Sequence, residues 1–397
     1  MDDTQTAPGG EARHSSEAAR FRPSLFQSFF LGGFECSTHR RRDGCRLDLI
    51  QSTRHDILAT EDYRQLMGHG IRAARDGVRW HLVERVPGQY DWSSVLPALR
   101  AARAAEMQVV WDLCHYGWPD GLEIFSAAFV ERFARYAAAF ARLHLEETGR
   151  PPMVCPVNEI SFFSWAGGLA GLINPFLSTQ EDSEKLKRQL VRAALAATHA
   201  TREAAPGTRV LAIDPLINIV PRPGQDPAEA AALNEAQFQA WDMLAGRLCP
   251  ELGGAPEMLD VVGVNYYWNN QWLHEGEREA VLPSDPQHRP LREMLHAAYA
   301  RYRRPIVVAE TSIEGEERAS WLRYVSEEIR AAMQQGLPLE GICLYPVLSH
   351  PGWDDDRYCP NGLLELVAEG EARLVHEPLA RELREQQRLF QAWFDAA

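Results

Sequence analysis

The chain has 397 residues, 45% hydrophobic and 24% charged, a balance that buries a large core and excludes disorder over most of its length. Its 41 basic and 55 acidic residues leave a formal net charge of −14, which repels phosphate backbones and anionic membranes and argues against nucleic acid or a membrane as partner. The 7 cysteines, at 36, 45, 114, 155, 249, 343 and 359, lack the paired spacings of a zinc or redox site and read as reduced core thiols of a cytoplasmic protein.

Residues 1–24 are polar, carry Gly9-Gly10 and Ser15-Ser16, and have no apolar run before a cleavage site; a disordered tail is expected there, not a signal peptide. From 25 to 397, short apolar runs alternate with amphipathic or alanine-rich segments, as a parallel sheet with crossover helices requires. Eight candidate strands lie near 29–34, 75–80, 108–113, 153–158, 209–213, 260–265, 305–309 and 341–346, apolar enough to be buried on both faces. Thr60-Glu61-Asp62 is expected to cap and open a helix running to His69, which Gly70 then stops. Phe129, Phe133, Tyr136, Ala137 and Phe140 recur every three or four residues and give segment 126–147 one apolar face. Segment 161–180 is poor in charge but broken by glycines, Asn174 and Pro175, and reads as a buried loop or lid, not a membrane span. Further helices are expected at 181–204, 228–246, 291–301, 317–335 and 377–394. With no glycine-rich phosphate loop after the first strand, the eight units favour a single-domain (β/α)8 TIM barrel over an open doubly wound sheet.

Reacting groups in such a barrel sit where strands end. The fourth strand ends Cys155-Pro156-Val157-Asn158-Glu159 and the seventh Ile306-Val307-Val308-Ala309-Glu310-Thr311, each placing a carboxylate just beyond an apolar run. Either one alone could be a structural ion pair, since an unpaired buried charge is expensive. Facing each other across a barrel mouth, the two match the needs of glycosidic cleavage. One carboxyl protonates the leaving oxygen while the other attacks or supports the sugar carbon from the opposite side.

With these strands the chain resembles the clan A glycoside hydrolases, most closely family 1, the β-glucosidase and 6-phospho-β-glucosidase group, from Phe29 to about Glu365. Asn158-Glu159-Ile160 is similar to the family's Asn-Glu-Pro without the proline, and Ala309-Glu310-Thr311-Ser312 stands for its Thr-Glu-Asn-Gly. The resemblance implies a retaining β-glycosidase with Glu159 as acid/base and Glu310 as nucleophile. Gly263-Val264-Asn265-Tyr266-Tyr267 resembles the family's Gly-Leu-Asn-Tyr-Tyr and makes Tyr267 the residue that orients Glu310. Arg75-Asp76-Gly77-Val78-Arg79-Trp80 matches Arg-Phe-Ser-Ile-Ser-Trp in spacing and makes Arg75 the cation beside the nucleophile, with an ion pair to Asp76 as the alternative and Arg79 in reserve. Cys114-His115-Tyr116-Gly117-Trp118-Pro119 resembles His-Trp-Asp-Leu-Pro, so His115 would contact sugar hydroxyls; Asn158 would take the 2-hydroxyl.

The departures fall on the sugar side. Tyr345 stands where the family has a tryptophan, and Asp354-Asp355-Asp356-Arg357 fills the loop of its Glu-Trp pair. Tyr345, Trp118 and Trp353 are candidate sugar contacts, because aromatic rings stack on sugar C–H faces and serve core packing equally well. Gly32-Gly33-Phe34-Glu35 replaces the glutamine motif of the first strand; Glu35 either binds substrate or pairs with Arg40-Arg41-Arg42. That basic run reads as a solvated loop, and a phosphorylated sugar stays open. The implied partner is a carbohydrate, no metal or organic cofactor is required, and the oligomeric state is open. Two alternatives stand beside this reading: an idle barrel that binds carbohydrate or protein, and a metal hydrolase with His115, Glu159 and Glu310 as ligands, against which the lack of paired histidines argues.

Overall fold

A computed structural model describes residues 21–276, 278–367 and 372–395. The expected tail lies outside the described residues up to position 20. Residues 21–24 are described and docked: the backbone N–H groups of Ser24 and Leu25 donate to Glu340 at 2.9 and 3.0 Å.

Eight parallel strands close on themselves: β1 Phe30–Gly33, β2 Ala73–Gly77, β3 Gln108–Asp112, β4 Met153–Cys155, β5 Arg209–Pro215, β6 Val261–Asn265, β7 Ile306–Thr311 and β8 Leu339–Leu344. Each pairs with its sequence neighbours, and β1 closes the ring by pairing with β8 as well as β2. Alternate strand residues fill the barrel interior, among them Val110, Leu211, Ile213, Val261 and Val307, while the other faces lie under the helices.

The outer layer is α1 His55–Gly68, α2 Leu96–Ala104, α3 Ala127–Thr148, α4 Gln180–Ala204, α5 Gln239–Leu244, α6 Leu291–Tyr302, α7 Arg318–Gln334 and α8 Glu377–Asp395. α3 starts as its sequence predicts: the Ser126 side chain accepts from the Phe129 N–H, and Gly149 ends the helix in the left-handed region.

Three elements differ from the sequence expectation. α1 begins five residues before Thr60, entered through Arg54 at φ 61 without a side-chain cap, because His55, Ala59, Asp62, Tyr63 and Leu66 together form its buried face. The expected buried loop at 161–180 opens as a helix, Ile160–Gly168, whose buried Ile160, Phe163, Ser164 and Gly167 keep helical spacing. The expected helix at 228–246 is two, Pro227–Ala236 and α5, with Asn234 and Gln237 turned onto the backbone of Ile219 and Ile217. All 7 cysteines are free, Cys45 exposed and Cys249 half-buried. Among the described residues no helix is long and apolar enough to cross a membrane.

Candidate active site

β2 starts two residues earlier than its sequence suggests, so Arg75 sits within the strand with its guanidinium inside the barrel, 1% exposed. Gly77 permits this register: a Cβ there would lie 2.3 Å from Cys36 Cβ. Arg75 donates to Glu310 Oε1 at 3.0 Å, to the Ala309 carbonyl at 2.9 Å, to Asp112 Oδ2 at 2.5 Å and to Asn158 Oδ1 at 3.2 Å. Asp76, the alternative partner, is taken by His55 and Tyr63, while Arg79 lies on Asp48. The second Glu310 oxygen accepts from the Tyr267 hydroxyl at 2.7 Å.

Glu159 stands across the mouth, the last residue before helix Ile160–Gly168, at φ 47 in the left-handed region. Its Oε1 accepts from Asn265 Nδ2 at 2.9 Å and its Oε2 from the Tyr116 hydroxyl. Neither neighbour carries charge, whereas Glu310 has a guanidinium against it. Burial and the Glu310 charge push Glu159 up to about 8. Burial also raises Glu310, but Arg75 and the Tyr267 hydrogen bond pull it back. Both carboxyls are therefore lifted, but Glu159 has no cation to oppose the rise, whereas Arg75 beside Glu310 favours its charged form against burial.

Asn158 and His115 share a polar floor with them. Asn158 Nδ2 lies 3.1 Å from His115 Nε2 and donates to the Tyr116 hydroxyl at 3.2 Å. His115 Nδ1 meets Asp112 Oδ2 at 2.9 Å and Cys36 Sγ at 3.1 Å. Tyr345 stacks parallel to His115 with centroids 6.0 Å apart, beneath the Arg75 guanidinium at 4.8 Å. Glu35 is 7% exposed and accepts from the backbone N–H and hydroxyl of Ser37, with His115 Nε2 at 3.9 Å. It makes no ion pair with the basic run: Arg40 is on Asp120, Arg41 on Asp43 and Asp356, and Arg42 on the Gly171 carbonyl. Trp353 is half-buried over the mouth against His39, Tyr116 and Phe162. Trp118 packs on Phe129 and Phe163 with its N–H on the Leu122 carbonyl, as a core residue does.

Asp112, Tyr116 and Asn265 were not singled out from sequence, though each sits at a strand end or in a motif already noted. Cys36, Asp112 and His115 bring candidate metal ligands within 4.8 Å of one another. There, however, Arg75 already supplies the positive charge on Asp112, and burial with the Asp112 charge pushes the Cys36 thiol up, toward the protonated form.

No protein-family model and no curated protein matches the chain significantly. Its fold is that of solved β-glucosidases. A family 1 β-glucosidase from Thermotoga maritima aligns over 93% of this chain and 99% of its own, with TM-score 0.72 and 15% identity. A Thermotoga maritima β-glucosidase in complex with glucoimidazole aligns over the same shares with TM-score 0.73 and 14% identity. A hyperthermophilic β-glucosidase mutant aligns over 91% of this chain and 100% of its own, with TM-score 0.71 and 15% identity.

Proposed function

We propose that the chain is a retaining β-glycosidase acting by double displacement. The observation that carries this reading is the asymmetry of the two carboxyls: Glu310 bears Arg75 and Tyr267, and Glu159 bears no cation and is lifted to about 8. The likeness to β-glucosidase structures supports the same reaction class.

In the first step a Glu310 oxygen attacks the anomeric carbon while Glu159 gives its proton to the departing oxygen. Once the aglycone has left, Glu159 is ionised beside a now neutral ester and takes a proton from water, which attacks the same carbon and frees Glu310. Arg75 and Tyr267 stabilise the Glu310 carboxylate at the start and at its release. A retaining arrangement requires the carboxyls about 5 to 5.5 Å apart in the working enzyme.

The test is a panel of aryl β-glycosides assayed with wild type, Glu159→Ala and Glu310→Ala, with product stereochemistry followed by proton NMR. Turnover with net retention, lost in Glu310→Ala and reduced ~10²- to 10⁴-fold in Glu159→Ala, is expected. Inversion sinks the double displacement, and sugar binding without turnover identifies an idle barrel.

A further inference from the structure

The loops after β5 and β6 pair with each other through two short strands, Asn218–Val220 and Gln271–Leu273. His274 follows the second of them, its N–H donating to the Val220 carbonyl at 2.8 Å. The residue is 9% exposed, and among the described residues neither ring nitrogen has a hydrogen-bond partner. Buried polar atoms are nearly always paired, and leaving one unpaired is costly. One ring nitrogen instead shares a cluster with a carboxylate oxygen of Glu229 and one of Glu275, the three atoms lying within 4.8 Å of one another. Glu229 comes from the first turn of helix Pro227–Ala236 and Glu275 from the residue after His274, so the cluster joins the two loops.

The cluster is built, not a chance meeting of surface acids. Glu275 sits at φ 57, and its Oε2 accepts from Gln225 Nε2 at 2.7 Å, while Gln225 Oε1 accepts from the Arg222 N–H at 2.8 Å. An amide that holds one oxygen of a carboxylate in this way orients it for a metal. The Arg222 guanidinium donates to the Glu275 carbonyl at 3.0 Å and to Glu279 at 3.4 Å. Two carboxylates thus crowd one imidazole, and a bound cation would give all three a partner. One nitrogen and two oxygens suit zinc and similar divalent transition ions, whereas magnesium and calcium take all-oxygen sets. Ligand atoms around tetrahedral zinc stand about 3.3 Å apart, so the exposed glutamates need to close in by roughly 1 Å, leaving the fourth position to water.

We propose that His274, Glu229 and Glu275 bind a divalent transition-metal ion of the zinc type, which clamps the loop after β5 to the loop after β6. The ion is structural. Glu159 is held by Asn265 and Tyr116, and Glu310 by Arg75 and Tyr267, so bond cleavage needs none of the three ligands. The assignment does not rest on the glycosidase reading.

The test uses the full chain, stripped with EDTA, dialysed, and titrated calorimetrically with zinc chloride in excess magnesium chloride. A single zinc ion per chain is expected, with a raised melting temperature and slower amide hydrogen exchange at 218–236 and 271–276. Affinity should fall at least ~10- to 100-fold in His274→Gln and in Glu229→Gln, and about 10-fold in Gln225→Ala. Should His274→Gln fail to fold, Glu229→Gln, changed at an exposed position, decides. Absence of zinc binding by wild type overturns the proposal. So does zinc binding that Glu229→Gln leaves unchanged, which would place the ion elsewhere, at Cys36, Asp112 and His115 for instance. Displacement of zinc by the excess magnesium overturns the transition-metal assignment.

Discussion

Glu310 lies within β7 and Glu159 just beyond β4, before the helix that follows, and the charge that separates them is one guanidinium. Arg75 is enclosed with Glu310 and Asp112, so removing it strands two buried carboxylates at once. Arg75→Met is expected to cost about 3–5 kcal/mol of stability, read by urea denaturation, and to abolish turnover. A cost under ~1 kcal/mol would place the pair in solvent-like surroundings. Tyr116 works on the other carboxyl, its hydrogen bond holding Glu159 lower than burial and Glu310 alone would. In the proposed reaction the loss of protonated Glu159 sets the basic limb of kcat/KM, near pH 8. Tyr116→Phe removes the restraint, so that limb should move to higher pH while the protein still folds; a limb that stays in place or moves down would deny Tyr116 this control.

Between β4 and helix Ile160–Gly168 the chain turns sharply through Glu159, and the turn is pinned from the neighbouring strand. Asp214, at the end of β5, accepts the Ser161 N–H at 3.0 Å and its hydroxyl at 2.7 Å, fixing the first turn behind Glu159. Asp214→Ala should therefore lower kcat roughly tenfold with little change in KM, because a loosened carboxyl misplaces proton transfer more than sugar binding. Equal losses in both constants would point to general damage. This tie shows what was legible in the sequence and what was not. The apolar runs that lead to Asn158-Glu159 and Ala309-Glu310 are legible in the sequence itself, and the Arg75 and Tyr267 that meet Glu310 were implied by the resemblance of their motifs to those of family 1. The pairing of Glu159 with Asn265, 106 residues away, and with Tyr116 depends on barrel closure and side-chain direction, which local periodicity does not carry. The start of α1 was hidden for a related reason. Asp62 resembles a first-turn acid, but it serves a buried ion pair with His55 and Arg373.

That ion pair belongs to the whole molecule, because it joins α1, β2 and the segment before α8. His55 lies between Asp62 at 2.8 Å and Asp76 at 2.9 Å, stacked on Phe34 at 3.6 Å, and Arg373 closes onto Asp62 and onto the Thr53 carbonyl at 2.8 Å. Two carboxylates thus face two cations in a dry setting, and the balance holds only while His55 is protonated. Burial opposes that charge, but Asp76 and Asp62 outweigh it and raise His55 to about 9. The folded chain then keeps a proton that the unfolded chain releases near 6.5, so the stabilisation is complete below about pH 6.5 and is lost as pH rises through 9. A shift of this size corresponds to something on the order of 3 kcal/mol. Glu159 acts in the same direction, its penalty growing as pH rises from its ordinary range toward 8. His39 and His81, lowered to about 4 and about 3, finish their opposite contribution by about 6.5 and leave the window clear. The urea midpoint should therefore fall steadily between pH 6.5 and 9. His55→Gln should flatten the fall most clearly above pH 8, while Glu159→Gln should flatten it only below. A midpoint constant across that range, or a slope that His55→Gln leaves untouched, would mean that His55 is neutral in the folded protein and that Arg373 alone balances the two aspartates.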